Sequence, residues 1–221
     1  MTAIQHDAAS DARYWPVPVL RAIPFLVLGM VTTFVNNHSA AVGLPVFGAT
    51  TVAGGILLGL GSYRWLDDRT SRTLFIVQGA VGVVFGALAL IFHGLGLTTL
   101  VALVTGWAVI AGVIELFAGL RRRRRSGLAR DWMLLGGTTL VLGIVYLVVP
   151  TDYDKPFGGI EHVPGSLTSS TILVGIVGAY GALVGVFLVI QGLSLKWQTN
   201  SPEAALAASP GDTPIDGAHR S

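Results

Sequence analysis

Glu115 is the one carboxylate set well inside an apolar stretch of the chain, six residues before Arg121. At helical rise that is a depth of about 9 Å. An ionisable group so placed is costly in lipid and faces either a bundle interior or a wet cavity. Gln78 and Gln191 lie at similar depth in two other apolar stretches, and Arg21 shares the repeat position of Gln78. Arg21, Gln78, Glu115 and Gln191 therefore predict a polar layer within the membrane. Its chemistry would be proton uptake or ligand binding at Glu115, tuned by desolvation and by Arg21 or Gln78. A purely structural layer, in which the carboxylate reaches a cytoplasmic arginine or makes an interhelical hydrogen bond, uses the same residues.

Histidines make a second constellation. His38, His93 and His162 fall in the outer segments, beside Asp152, Asp154 and Glu161. An imidazole gains charge near pH 6.5, so this face could register acidification, although solvated residues without a role account for it equally well. The spacings match no metal-ligand motif, and no metal or cofactor is expected. With no cysteine, thiolate sites and disulfides are excluded. No phosphate-binding loop, nucleophile–base arrangement or paired carboxylates can be found, so the expectation is a protein that is not an enzyme.

These residues need a membrane around them. Only 12% of the 221 residues are charged, against about 25% in a globular protein. Mean hydropathy is +0.69. Six apolar stretches near residues 17–34, 44–63, 73–92, 97–120, 132–149 and 171–195 are each long enough to cross about 30 Å of hydrocarbon as a helix. Strands are disfavoured because the apolar runs do not alternate. The expected class is an all-α membrane protein of six spans. The domain lies over 17–195, between tails at 1–16 and 196–221 too polar to order themselves.

Basic residues orient the spans. With the N-terminus inside, 13 of the 14 lysines and arginines fall on the cytoplasmic side and only Lys155 lies outside. Positive-inside bias then places both termini in the cytoplasm of a cell-membrane protein, with Trp15, Trp65, Trp132 and Trp197 as anchors at the inner boundary. The run Arg121, Arg122, Arg123, Arg124 and Arg125 reads as a retention signal that attracts anionic lipid headgroups. Without interleaved aromatics it does not predict nucleic-acid binding.

Small residues recur at a fixed interval. Ala22, Gly79 and Gly136 are spaced by 57, as are Gly29, Gly86 and Gly143, and the two sets lie seven apart on one helix face. Gly55 and Ser62, Gly112 and Gly119, and Gly185 and Gly192 repeat that spacing in the even-numbered spans. The pattern predicts three hairpins (about 17–63, 73–120 and 132–195) of the same orientation, packed through small residues around a pseudo-three-fold axis. In that alignment Leu58 and Leu188 stand where the central copy has Glu115. A bundle this small can also form homo-oligomers, though no residue specifies one.

Trp107 with Gly112 and Glu115, a basic loop, then Trp132 with Gly136, Gly143 and Pro150 resemble the HdeD-like family of bacterial membrane proteins. The resemblance is clearest over 73–150 and extends over 17–195; Thr50 and Tyr180 replace Trp107 in the outer copies. It implies an integral membrane protein with a role in acid resistance or envelope stress, and supplies no catalytic residues. The alternative reading is a small proton or solute channel that uses the polar layer around Glu115.

Overall fold

The computed structural model describes residues 11–124, 126–156 and 166–199. Six long helices follow one another: α1 (Pro16–Phe34), α2 (Ala40–Trp65), α3 (Arg69–Ile91), α4 (Leu97–Arg122), α5 (Leu128–Val148) and α6 (Ser169–Thr199). All six are long and apolar enough to cross a membrane. The surface says the same thing in reverse. Phe34, Leu60, Ile91, Leu147 and Ile190 are exposed, while Arg21 and Glu115 are buried. An apolar exterior around a charged interior is stable only with lipid outside.

Local signals end and start the helices where expected. Pro16 and Pro18 occupy the first turn of α1, where a missing N–H leaves no intrahelical bond unmade. Asp68 caps α3 by accepting the Ser71 backbone N–H. A single 3-10 turn at His93–Leu95 leads to Gly96, whose φ of +86° turns the chain into α4. In the long connection before α6, β1 (Asp154–Pro156) pairs antiparallel with β2 (Ser166–Thr168), a short ribbon the apolar pattern did not predict. Ser169 donates to the Pro150 carbonyl at 2.7 Å and closes that connection onto α5.

Neighbouring helices run antiparallel, so the arginines collect at one end of the bundle. The closest contacts join α2 to α3, α4 to α5 and α6 back to α1. A Cβ on Gly55 would meet the Gly79 carbonyl at 2.5 Å, and one on Gly112 would meet that of Gly136 at 2.9 Å. On Gly185 it would lie 3.0 Å from the Leu26 backbone nitrogen. The tight seams therefore run between the expected hairpins instead of within them. Repeat equivalence explains the match: Leu26, Val83 and Leu140 hold the same position against Gly185, Gly55 and Gly112. Gly119 and Gly192 continue two seams against Met133 and Val19, and Gly29 and Gly86 are crowded by Ala182 and Thr51, whereas Gly143 is looser at 3.2 Å from Val109.

Side chains of α2, α4 and α6 fill the axis. Phe47, Val104 and Val177 are equivalent and almost fully buried. Trp107 meets Phe47 and Tyr180 edge-on at 5.4 and 6.1 Å between ring centroids, a favoured aromatic geometry.

Two boundary expectations change. Residues 11–15, expected within a disordered tail, form a turn under the bundle, with Ala12 and Tyr14 buried. Trp132, expected at the membrane boundary, is 2% exposed and packs against Phe75 and Tyr14. This turn covers the end of α5 and turns an interfacial tryptophan into a core one. Trp197 remains outside, at 69% exposure.

Gly136→Ala places a methyl 2.8 Å from the Gly112 carbonyl and should lower stability by about 1–3 kcal/mol. Gly137, with nothing within 4 Å of its Cβ position, should accept alanine without loss. Thermal unfolding of both variants in detergent micelles checks the pair.

Candidate functional site

Three of the four polar-layer residues meet. Arg21 Nη1 donates to Glu115 Oε1 at 3.0 Å, and Gln78 Nε2 donates to Glu115 Oε2 at 3.3 Å. The Arg21 and Glu115 side chains are 9% and 2% exposed. The repeat makes this arrangement intelligible. Glu115 stands between Leu58 and Leu188 near the axis, while Arg21 and Gln78 take two of three equivalent positions and Leu135 takes the third. The seams set α1 against α6 and α3 against α2, and the inward-facing polar groups of α1 and α3 reach Glu115 on α4. The arginine that pairs with Glu115 lies within α1, not in the cytoplasmic loops.

Gln191 belongs to the same layer but not to the same hydrogen bonds. It is buried on α6 and lies toward the Asp131 carboxyl, yet its Nε2 completes no hydrogen bond. Gln78 Oε1 is likewise buried without a partner. Two cavities of ≈ 10 Å³ flank the ion pair. Arg21, Glu115, Tyr14 and Gln191 face the first; Arg21, Gln78, Thr51 and Trp107 face the second. Each has room for about one water molecule.

A second polar tier closes the basic end. Tyr14 and Ser62 share a hydrogen bond of 3.2 Å. Burial pushes the Tyr14 phenol up to about 12, against the opposing bond from Ser62. Arg122 Nη1 donates to Asp11 at 3.3 Å, Ser126 also bonds Asp11, and the Arg122 guanidinium lies 5.8 Å over the Trp132 ring. This corrects the expectation for Arg122, which is buried and committed to the protein. Arg121 binds Asp68 and Ser71 and stays exposed. Arg123 and Arg124 are exposed, and Arg125 lies outside the described residues. Sequence reasoning missed Asp11, Tyr14 and Asp131 because all three sit at or beyond the span boundary, where a polar side chain is ordinarily solvated.

The histidines are not brought together. His38 is half-buried, with Nε2 2.8 Å from the Thr32 carbonyl and Nδ1 3.4 Å from that of Asn36. His93 Nδ1 lies 2.9 Å from the Leu90 carbonyl at the end of α3. His162 lies outside the described residues. Among the described residues, no three His, Cys, Asp or Glu side chains cluster to hold a metal ion.

A family model described as a short repeat of unknown function, DUF308, matches residues 20–91 and again 77–149. The second match starts 57 residues after the first, the interval read from the glycines. The chain belongs to the DUF308 family. Each match to the DUF308 repeat spans three helices and so contains one complete seam, α2 with α3 or α4 with α5. The two together include Arg21, Gln78 and Glu115, whereas Gln191 lies beyond them. No curated protein and no solved structure matches the chain.

Replacing Glu115 alone by leucine leaves a buried guanidinium unpaired and should cost about 3–5 kcal/mol. The double variant Arg21→Leu with Glu115→Leu installs the residues found at positions 135, 58 and 188 and should recover most of that loss. Unfolding of the single and double variants in micelles measures the difference.

Asp68 supplies a pH dependence. Burial opposes its ionisation, but bonds from the Ser71 side chain and backbone and the charges of Arg121 and Arg122 outweigh it and hold the carboxyl below its ordinary value. A lowered folded value means the contribution is complete above about pH 3.9, the unfolded value, and fades as pH falls through the folded one. Asp68→Asn should thus flatten the stability profile on the acid side of pH 4 and leave its shape at neutral pH unchanged, as pH-dependent unfolding would show.

Proposed function

We propose that this chain is a non-enzymatic multi-pass protein of the cell membrane, its arginine-rich end in the cytoplasm, that supports tolerance of acid or envelope stress. The observation that carries the reading is the buried Arg21–Glu115–Gln78 contact, which ties α1, α3 and α4 together through one ionisable carboxylate. A charged Glu115 satisfies both donors. Its protonated form would leave Arg21 charged and poorly compensated in a low-dielectric site, weakening the tie between α1 and α4. Acid would then shift helix arrangement or partner binding. The resemblance to HdeD-like proteins, on Trp107, Gly112, Glu115, Trp132, Gly136, Gly143 and Pro150, points to the same role.

A proton or solute channel is the second class, and the cavities beside Glu115 favour it only over part of the depth. Phe47, Val104, Val177, Trp107 and Tyr180 fill the axis beyond them. Transport would require that plug to part.

In a deletion strain, the wild-type gene should restore survival of acid challenge. Glu115→Gln should fail to do so at equal expression, while His38→Gln with His93→Gln should succeed. Full rescue by Glu115→Gln, or a deletion strain as acid-tolerant as its parent, would count against the proposal. Proteoliposome flux present in the wild type and lost in Glu115→Gln would move the assignment to a channel.

A further inference from the structure

Glu115 is off-centre in its helix, six residues from Arg121 and eighteen from Leu97, or about 9 and 27 Å at helical rise. Beyond the second cavity the long side is closely packed. Phe47, Val104 and Val177 are at most 1% exposed, and Trp107 and Tyr180 lie edge to face across the axis. On the short side polar groups lead outward. Gln191 lies between the cavity beside Glu115 and Asp131, which is half-buried in the first turn of α5 at the arginine-rich end.

Two orphaned atoms belong to residues that line these cavities. Gln191 lines the first and Gln78 the second, and Gln191 Nε2 and Gln78 Oε1 are buried without a completed hydrogen bond. An unmade bond of this kind costs roughly 1–3 kcal/mol. A water with two to four polar neighbours removes that cost. Each cavity offers such neighbours: Glu115, Arg21 and Tyr14 beside Gln191, and Arg21 and Trp107 beside Gln78.

We propose that each cavity binds one ordered water and that Asp131, Gln191 and the first water form a route by which protons reach Glu115 from the arginine-rich end alone. A proton taken up by the Asp131 carboxylate passes to the water as the Gln191 amide turns aside, and the water gives a proton to a Glu115 oxygen. No other bond is made or broken. Gln191 stays neutral throughout and acts as a positioning residue. The charged and titratable groups facing Glu115 are Arg21 from α1, Tyr14 from the preceding turn and Tyr180 from α6. Gln78 faces it from α3, Leu58 from α2, and Leu135 and Trp132 from α5.

The inference rests on the protonation of Glu115 proposed above, and the test separates the two. The full chain is reconstituted in one orientation in phosphatidylcholine vesicles. The carboxyl band of protonated Glu115, assigned by its absence in Glu115→Gln, is followed by infrared difference spectroscopy after a pH jump on either side. Acidifying the arginine-rich side should raise the band, and acidifying the other side should not. Gln191→Leu and Asp131→Asn should slow its rise by roughly tenfold or more with the same end point. A band that follows the opposite side, or rises at wild-type speed in both variants, overturns the route and leaves the protonation of Glu115 standing. Absence of any such band in the wild type overturns the protonation itself. Radiolytic hydroxyl labelling of the wild type then decides the hydration independently. Tyr14 and Trp132, beside the first cavity, should be modified above Phe47 and Tyr146, which are comparably buried, and equal protection of all four would show a dry cavity and overturn the water sites.

Discussion

Helices in lipid gain nothing from hiding apolar surface from one another, since the tails outside are as apolar as the neighbour. What remains is close backbone approach, interhelical hydrogen bonding and lipid entropy. The bundle is organised by the first of these. Gly55 against Gly79 and Gly112 against Gly136 let carbonyls approach a neighbouring glycine, and Gly185 lets the side chain and backbone nitrogen of Leu26 approach. With the last seam joining α6 to α1, the chain closes on itself, and every other feature inherits its place from that closure. The aromatic plug fills the space the seams leave on the axis. The polar layer exists because closure brings α1, α3 and α4 to one depth.

The site is a local departure from a repeated scaffold. Two copies keep leucine at the position of Glu115, and one keeps leucine at that of Arg21 and Gln78. Where the other copies carry leucine, these three positions hold a charge, its counter-charge and a second donor on the same helical frame. A buried pair of this kind contributes little net stability compared with well-packed apolar residues. Its presence therefore points to specificity or response, as with intramembrane ionisable groups in general.

Much of this architecture could be read from the chain alone. Hydropathy located all six helices because each is interrupted by polar or glycine-bearing turns such as Asp67–Asp68 and Gly94–Gly96. The 57-residue spacing of Gly29, Gly86 and Gly143 was legible because steric demand at a seam admits few residues. The partner of each stripe was not. Seven-residue spacing names a helix face but not what lies against it, so the hairpins looked like the packed units when the seams lie between them. Trp132 and Arg122 were misplaced for a related reason. Near a membrane boundary an aromatic ring or a guanidinium suits both the interface and the core, and only the turn at residues 11–15, invisible to hydropathy, decides between them. Glu115 was legible by depth and Arg21 and Gln78 by their shared repeat position, whereas a cytoplasmic arginine remained an equal candidate partner until α6 was seen to bring α1 into the ring.

Closure between the first and last helices is the claim from which the polar layer follows. The chain has no cysteine, so one introduced pair reports on it without background. Cysteines at Leu26 and Gly185, oxidised in native membranes, should cross-link rapidly within a single chain, whereas a control pair at Leu26 and Val113 should not. Failure of the first pair to cross-link, or cross-linking only between chains, would contradict a closed six-helix ring and, with it, the meeting of Arg21 and Glu115.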